Sequence, residues 1–432
     1  MRRLLALAAG VLLAAPTLAA EGGVHVDPIG TVALELAVIL VAAKLGGEVA
    51  SRAGQPAVLG ELLAGVVLGN LDLLGFRAVA AIPADPAVDV LASLGVIVLL
   101  FEVGLESTVA EMLRVGLSSL LVAVIGVAVP FLLGWGVGAL LLPEASPYVH
   151  AFLGATLSAT SVGITARVLQ DLGRSRSAEA RVILGAAVID DVLGLVVLAV
   201  VSGAVAAADA GRAMSAGAIA AIVAKAGAFL VGALVLGVRF SPRLFHLASR
   251  LHTRGVLLAL GLASCFALSW LSGAIGLAPI VGAFAAGLVL EELHYRDFVS
   301  RGEHGLEELI QPIAGFLVPV FFVVMGMRTD LRAFGDVRAL GLAAALTAAA
   351  IVGKQACALG VLGRGVDRIA VGIGMIPRGE VGLIFANVGL SLHLGGQPVL
   401  GADAYSAIVI VVILTTVVTP PALRWSLGRL AR

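Results

Sequence analysis

Long apolar blocks, each of about 20 residues, alternate along this chain with short polar turns, and an α-helix of that length crosses roughly 30 Å of hydrocarbon. Thirteen such blocks follow the leader, centred near Ala37, Gly65, Ile97, Val124, Ser161, Leu193, Phe229, Gly261, Val281, Pro319, Leu346, Ile376 and Val411. They predict an all-α polytopic membrane protein with 13 transmembrane helices. The leader, residues 1–20, joins Arg2 and Arg3 to a short apolar run ending in small residues, the pattern of a cleavable secretory signal. Its removal would leave the mature amino terminus outside, and an odd number of crossings then brings the carboxyl terminus inside. In that orientation Lys44 and Arg52, then Arg167, Arg174, Arg176 and Arg181, then Arg239, Arg243, Arg250 and Arg254, and finally Arg424, Arg429 and Arg432 all face the cytoplasm. The positive-inside rule asks for that asymmetry.

Two blocks depart from the apolar pattern. Ala155 to Asp171 reads ATLSATSVGITARVLQD, and Val371 to Ala386 reads VGIGMIPRGEVGLIFA. Gly, Ser, Thr and Pro at mid-membrane depth predict discontinuous helices, whose interrupted backbone is tolerated only around a cavity inside the protein. With thirteen crossings the two blocks run in opposite directions, as an inverted repeat requires, and the site is expected where they meet.

Composition agrees with the pattern and narrows the function. Hydrophobic residues make up 60% of the 432, charged residues only 13%, and the mean hydropathy is +1.09, against about 25% charged residues in soluble domains. Twenty-eight acidic and 28 basic residues cancel, so nothing points to a nucleic-acid partner. Cys265 and Cys357 both fall in apolar segments and read as small core side chains rather than a disulfide framework. The 54 glycines suit close helix packing. No soluble domain is expected after the last span, nor any cofactor.

The costly residues are then the charges inside the apolar blocks. Asp190 and Asp191 lie side by side in GAAVIDDVLGLVVLAV, and Lys354 lies in AAIVGKQACAL. A carboxylate in hydrocarbon escapes its solvation penalty by taking a proton, pairing with a positive group or binding a cation. Adjacent helical residues point about 100° apart, so the two Asp are expected to do different jobs. One would face a water-accessible cavity and carry an ion while the other pairs with Lys354; the alternative is a purely structural salt bridge. Thr160 and Ser161, at the first break, offer hydroxyls beside freed carbonyls, oxygen ligands of the kind small hard cations prefer, although such hydroxyls also bond within their own helices. Arg378 and Glu380, at the second break, are expected to compensate half-helix ends, Arg378 the negative one and Glu380 the positive one. Glu61 and Glu102 are candidates for gating or support, Glu35 and Lys225 for pairing or snorkelling, and His150 and His393 read as solvated.

In chain order, GELLAGVVLG, LLFEVGLE, SATSVGITARVLQDLG, LGAAVIDDVLGLVVLAVV, GLAPIVGAFAAGLVL and GIGMIPRGEVGLI resemble the second family of bacterial monovalent cation/proton antiporters, of the NapA type and related to the Kef systems and NhaA. The resemblance implies two crossed discontinuous helices inside a core domain, residues 111–206 and 333–425, that moves against a scaffold, residues 27–110 and 241–332. A linker helix (207–240), a short cytoplasmic tail (426–432), a homodimer and the bacterial inner membrane follow from it. It also implies that Asp191 carries sodium or a proton, that Asp190 pairs with Lys354, itself a second proton carrier, and that Thr160 completes the sodium ligands. Members with two Asp and this Lys are electrogenic, exchanging more protons than sodium ions. Glu102 departs from the apolar residue expected at its position. Lithium or potassium could replace sodium as cargo, and a potassium/proton exchanger shares nearly every argument. A cation channel or an intramembrane aspartyl protease would be alternatives from other classes, but the second needs a Gly-x-Gly-Asp segment that is missing here.

Overall fold

The computed structural model describes residues 28–429 apart from 77–78, 107–115, 162–164, 167, 170–173, 175–176, 212–215, 252, 254, 291–297, 299–303, 333–336 and 363–364. The predicted signal, 1–20, and the end of the predicted tail, 430–432, lie outside the described residues, as do Arg167, Asp171 and Arg176. The principal α-helices among the described residues are α1 Pro28–Arg52, α2 Ala57–Gly69, α3 Pro86–Glu106, α4 Leu117–Leu141, α5 Pro147–Ser158, α6 Ala178–Asp209, α7 Ala216–Ala248, α8 Val256–Ala274, α9 Pro279–Val289, α10 Leu306–Met327, α11 Val337–Ala356, α12 Arg368–Gly374, α13 Glu380–Ser391 and α14 Ala402–Arg429.

Nine helices among the described residues are long and apolar enough to cross a membrane, and each contains one predicted span centre. The chain is a helical polytopic membrane protein. The other four centres fall elsewhere. Gly65 and Val281 lie in α2 and α9, helices of 13 and 11 residues, while Ser161 and Ile376 lie where helical structure stops. Hydropathy counts apolar residues in a window and carries no information on where the backbone leaves the helix, so these helix ends and interruptions are visible only in the structure. The span within α7 has 6% of its residues buried, against 61% in α14. Its apolar surface suits contact with lipid.

The described residues fall into two compact units. The first, Met1–Val96 with Pro312–Gly335, contains α1, α2, the start of α3 and most of α10. Its helices meet backbone to backbone. A Cβ added at Gly60 would stand 2.0 Å from the Gly46 carbonyl oxygen on α1, and one at Gly65 would stand 2.1 Å from that of Val323 on α10. Side chains at these crossings would hold the helices apart. Beyond α2, buried Asn70 donates to the Val66 carbonyl (2.8 Å) and the Thr329 carbonyl (2.7 Å) and accepts from the Leu331 amide (2.8 Å), tying the ends of α2 and α10.

The second unit, Ile97–Gln311 with Asp336–Arg432, holds the remaining helices and both predicted breaks. Gly353 on α11 packs against Pro130 inside α4, where a Cβ would lie 2.9 Å from the proline Cα. A small antiparallel hairpin, β1 His393–Leu394 and β2 Gln397–Pro398, follows α13. Its turn residues Gly395 and Gly396 have φ of 60° and 80°, the left-handed pair a tight two-residue hairpin turn demands.

Candidate functional site

The first break begins where α5 stops. Pro147 sits in its first turn, where a missing N–H costs nothing, and Ser158 ends it as Ala159 turns extended (φ −62°, ψ 147°). The chain is helical again at Thr165 and Ala166. The second break begins after α12, whose N-cap Asp367 accepts from the Ile369 and Ala370 amides. Residues 376–379 are non-helical, and α13 starts at Glu380.

The two breaks are bonded to each other. The Ser161 amide donates to the Pro377 carbonyl (2.9 Å), and the Thr165 hydroxyl donates to the Gly374 carbonyl (2.6 Å). Groups released from each helix find partners in the other, as they must where water is scarce.

Cations gather at the carboxyl-terminal end of α5. Lys354 Nζ donates to the Ser158 carbonyl (2.6 Å), and Arg378 donates through Nη2 to the Leu157 carbonyl and through Nη1 to that of Ile376 (2.5 Å). A helix carries about half a negative charge at that end, which two buried cations more than balance. Lys354 also meets Asp190 Oδ1 at 3.0 Å, with the two side chains 0% and 1% exposed. Lys354 therefore joins α11, α6 and the first break in one contact set. Within this deeply buried pair the ammonium has a second acceptor in the Ser158 carbonyl, which offsets part of its desolvation cost.

Asp190 Oδ2 and the Thr160 hydroxyl are buried with no hydrogen-bond partner among the described residues. Such oxygens are exceptional in folded proteins and mark atoms suited to accept from a proton or ligate a cation. Asp191, one residue on, is half-buried. Among the described residues no group of three His, Cys, Asp or Glu side chains could hold a metal ion.

The structure thus brings together Asp190, Lys354, Ser161 and Arg378, with Thr160 and Asp191 as chain neighbours, while Glu380 is the first residue of α13. Glu61 is instead buried on α2 of the first unit, and Glu102 is half-buried on α3. Lys225 donates to the Ile275 carbonyl just past α8 (3.0 Å), and His150, read from sequence as solvated, is buried with Nε2 2.9 Å from the Leu142 carbonyl, because the α4–α5 turn folds over it. Sequence reasoning missed the Leu157 and Ser158 carbonyls and two threonines of α14. Backbone acceptors carry no residue signature, and threonine in a membrane helix ordinarily bonds to its own backbone.

Residues 36–428 match the family model described as sodium/hydrogen exchanger, transmembrane. The chain is 40% identical over 427 residues to the high-affinity sodium/proton antiporter NhaS3 of Synechocystis, covering 91% of this chain and 89% of that one. To the sodium/proton-potassium antiporter GerN of Bacillus cereus it is 35% identical over 399 residues, covering 91% and 96%. Its fold is similar to that of the sodium proton antiporter MjNhaP1 from Methanocaldococcus jannaschii, with a TM-score of 0.70 over 92% of this chain and 98% of that one at 17% identity. Interrupted helices bonded at their breaks, a buried carboxylate and lysine between them and a match over nearly the whole length lead to one assignment: the chain belongs to the sodium/hydrogen exchanger family of secondary transporters.

Proposed function

We propose that the protein is an electrogenic sodium/proton antiporter working by alternating access, with Asp191 as the carrier of either passenger. One observation carries the reading: the 3.0 Å Lys354–Asp190 pair, buried at the junction of two interrupted helices, with a second carboxylate next in the chain. Sodium or a proton neutralises Asp191 and lowers the cost of moving the site across the hydrocarbon, whereas the empty, charged site stalls. Thr160 and the outer oxygen of Asp190 complete the sodium ligands. When sodium draws Asp190 away, Lys354 releases a proton, so more than one proton returns for each sodium extruded.

Counting the nine long helices, α2, α9 and the two interrupted helices gives thirteen crossings, with the amino terminus outside, the carboxyl terminus in the cytoplasm and the interrupted pair related as an inverted repeat. The core moves against a scaffold that pairs two copies in a bacterial inner membrane. A second reading, potassium/proton exchange, draws support from the potassium in the name of GerN.

The test is reconstitution in liposomes with an internal pH dye and separate pulses of sodium, potassium and lithium. Sodium should drive proton movement that a membrane potential modulates; Asp191→Asn should abolish it, and Lys354→Gln should keep exchange but lose the dependence on potential. Undiminished exchange in the Asp191→Asn variant sinks the assignment, and a response to potassium alone replaces the cargo.

A further inference from the structure

We propose that Thr415 and Thr416 of α14 are positioning residues of the exchange site, acting on it through the peptide of Arg378. The inference rests on the antiport reading above. Its basis is a full account of one residue's backbone. The Arg378 amide donates to the Thr415 hydroxyl oxygen (3.2 Å), and the Arg378 carbonyl accepts from the Thr416 hydroxyl (2.8 Å). Both threonines are buried, with 0% and 3% exposure. Arg378 is buried outside any helix, and among the described residues no backbone group bonds to its amide or carbonyl, so without the threonines each would carry its whole desolvation cost.

The two hydroxyls are not interchangeable. Thr415 gives its proton to its own helix, at the Val411 carbonyl (2.8 Å) or that of Val412 (3.2 Å), which turns a lone pair toward the Arg378 amide. Thr416 sends its single proton across to the Arg378 carbonyl instead. Adjacent residues of one helix thus read the donor and the acceptor of one residue in the break. Pro420 follows at i+4 from Thr416 and has no N–H to bond to its carbonyl, so the helix is locally loosened where it grips the break.

From this grip a chain of bonds runs to the proposed ligand. Arg378 follows Pro377, whose carbonyl accepts from the Ser161 amide, and Ser161 follows Thr160. With the Arg378 peptide fixed, its guanidinium stays on the Leu157 carbonyl and Thr160 keeps its place in the break. With either threonine lost, the break relaxes and the hydroxyl of Thr160 leaves the geometry a cation needs. The effect belongs to binding, not to the amount of working protein.

The experiment compares wild type with Thr415→Val and Thr416→Val, which keep the shape but lose the hydroxyl, and with Thr415→Ser and Thr416→Ser, which keep the hydroxyl. In liposomes, each valine variant should raise the apparent sodium KM about fivefold, the worth of one buried hydrogen bond, while the maximal rate stays within about twofold of wild type. Each serine variant should return the KM to about its wild-type value. A merely structural role would lower the rate and leave KM alone. In detergent, hydrogen–deuterium exchange at the Ser161 amide should quicken in the valine variants and not in the serine ones, a readout that needs no transport. Wild-type KM in both valine variants, a raised KM that serine does not correct, or unchanged exchange at Ser161 overturns the proposal. If the valine variants do not fold, the serine variants decide it, since a raised KM in either contradicts a role for the hydroxyl. Wild-type vesicles without cation-driven proton movement would sink the antiport reading instead, and exchange at Ser161 would still judge the grip of α14.

Discussion

The first unit and the interrupted-helix region solve one problem in opposite ways. In the first unit, glycines let α1, α2 and α10 touch backbone to backbone, and the buried Asn70 makes its polar contacts at a helix end. Around the breaks, charged and backbone groups lie deep, each bonded across to another helix. Packing of the first kind has one good arrangement because backbones cannot slide past one another. A network of the second kind spreads over several partners: Lys354 holds both a carbonyl and a carboxylate. The difference teaches which part of such a protein can be stiff and which must stay responsive to its passenger.

The sharpest way to break the contrast is to strand a charge. Asp190→Ala leaves Lys354 buried without its counter-ion and should cost about 3–5 kcal/mol, read as a lowered midpoint of thermal unfolding in detergent. Replacing both, Asp190→Ala with Lys354→Ala, should recover part of that loss. If the double variant is no more stable than the single, the pair is not the coupled unit its geometry indicates.

These residues were also the most legible from sequence. Asp190, Asp191 and Lys354 stand out because a charge in an apolar block is too costly to be incidental. Thr160 and Ser161 mark one break and Pro377 with Gly379 the other, because Ser, Thr, Gly and Pro weaken helices. The helix end that Arg378 bonds was illegible for another reason. Its acceptor at Leu157 belongs to the other interrupted segment, 221 residues away, and any residue would offer the same carbonyl. In the first unit the chemistry hides the answer altogether. Gly46 and Gly60 look like any of the 54 glycines, and only the crossing of α1 and α2 tells that they face each other.

That crossing supplies the next test. Gly60→Ala places a Cβ against a backbone oxygen that cannot rotate away, so α1 and α2 must separate, at a cost of about 1–3 kcal/mol. Thermal unfolding should register it while hydrogen–deuterium exchange at Ser161 stays at the wild-type rate. Faster exchange at Ser161 would mean that the effect of the added methyl is not confined to the first unit.

A smaller effect is expected from Asn70→Ala. It removes the acceptor of the Leu331 amide and a donor to the Thr329 carbonyl, but Leu331 is only half-buried, so its amide is the easier of the two for water to reach. About 1 kcal/mol is expected, with quickened amide exchange confined to Leu331 and its neighbours. A loss as large as that of Asp190→Ala would show that the polar tie, rather than glycine contact, holds the first unit together.

The smallest effect tests the contrast from the other side, with a polar contact of the second unit that faces water. Asp209, the last residue of α6, accepts from the Gly395 amide in the turn of the hairpin (2.9 Å), and both residues are exposed. Asp209→Ala should leave the unfolding midpoint unchanged within error, because water replaces the lost acceptor as soon as it leaves. What should change is local: the Gly395 amide exchanges faster, while the strands keep their register, His393 opposite Pro398 and Leu394 opposite Gln397. If instead the variant were destabilised as strongly as Gly60→Ala, burial would not be what separates the two regions, and the strength of their polar contacts would have to be traced to geometry alone.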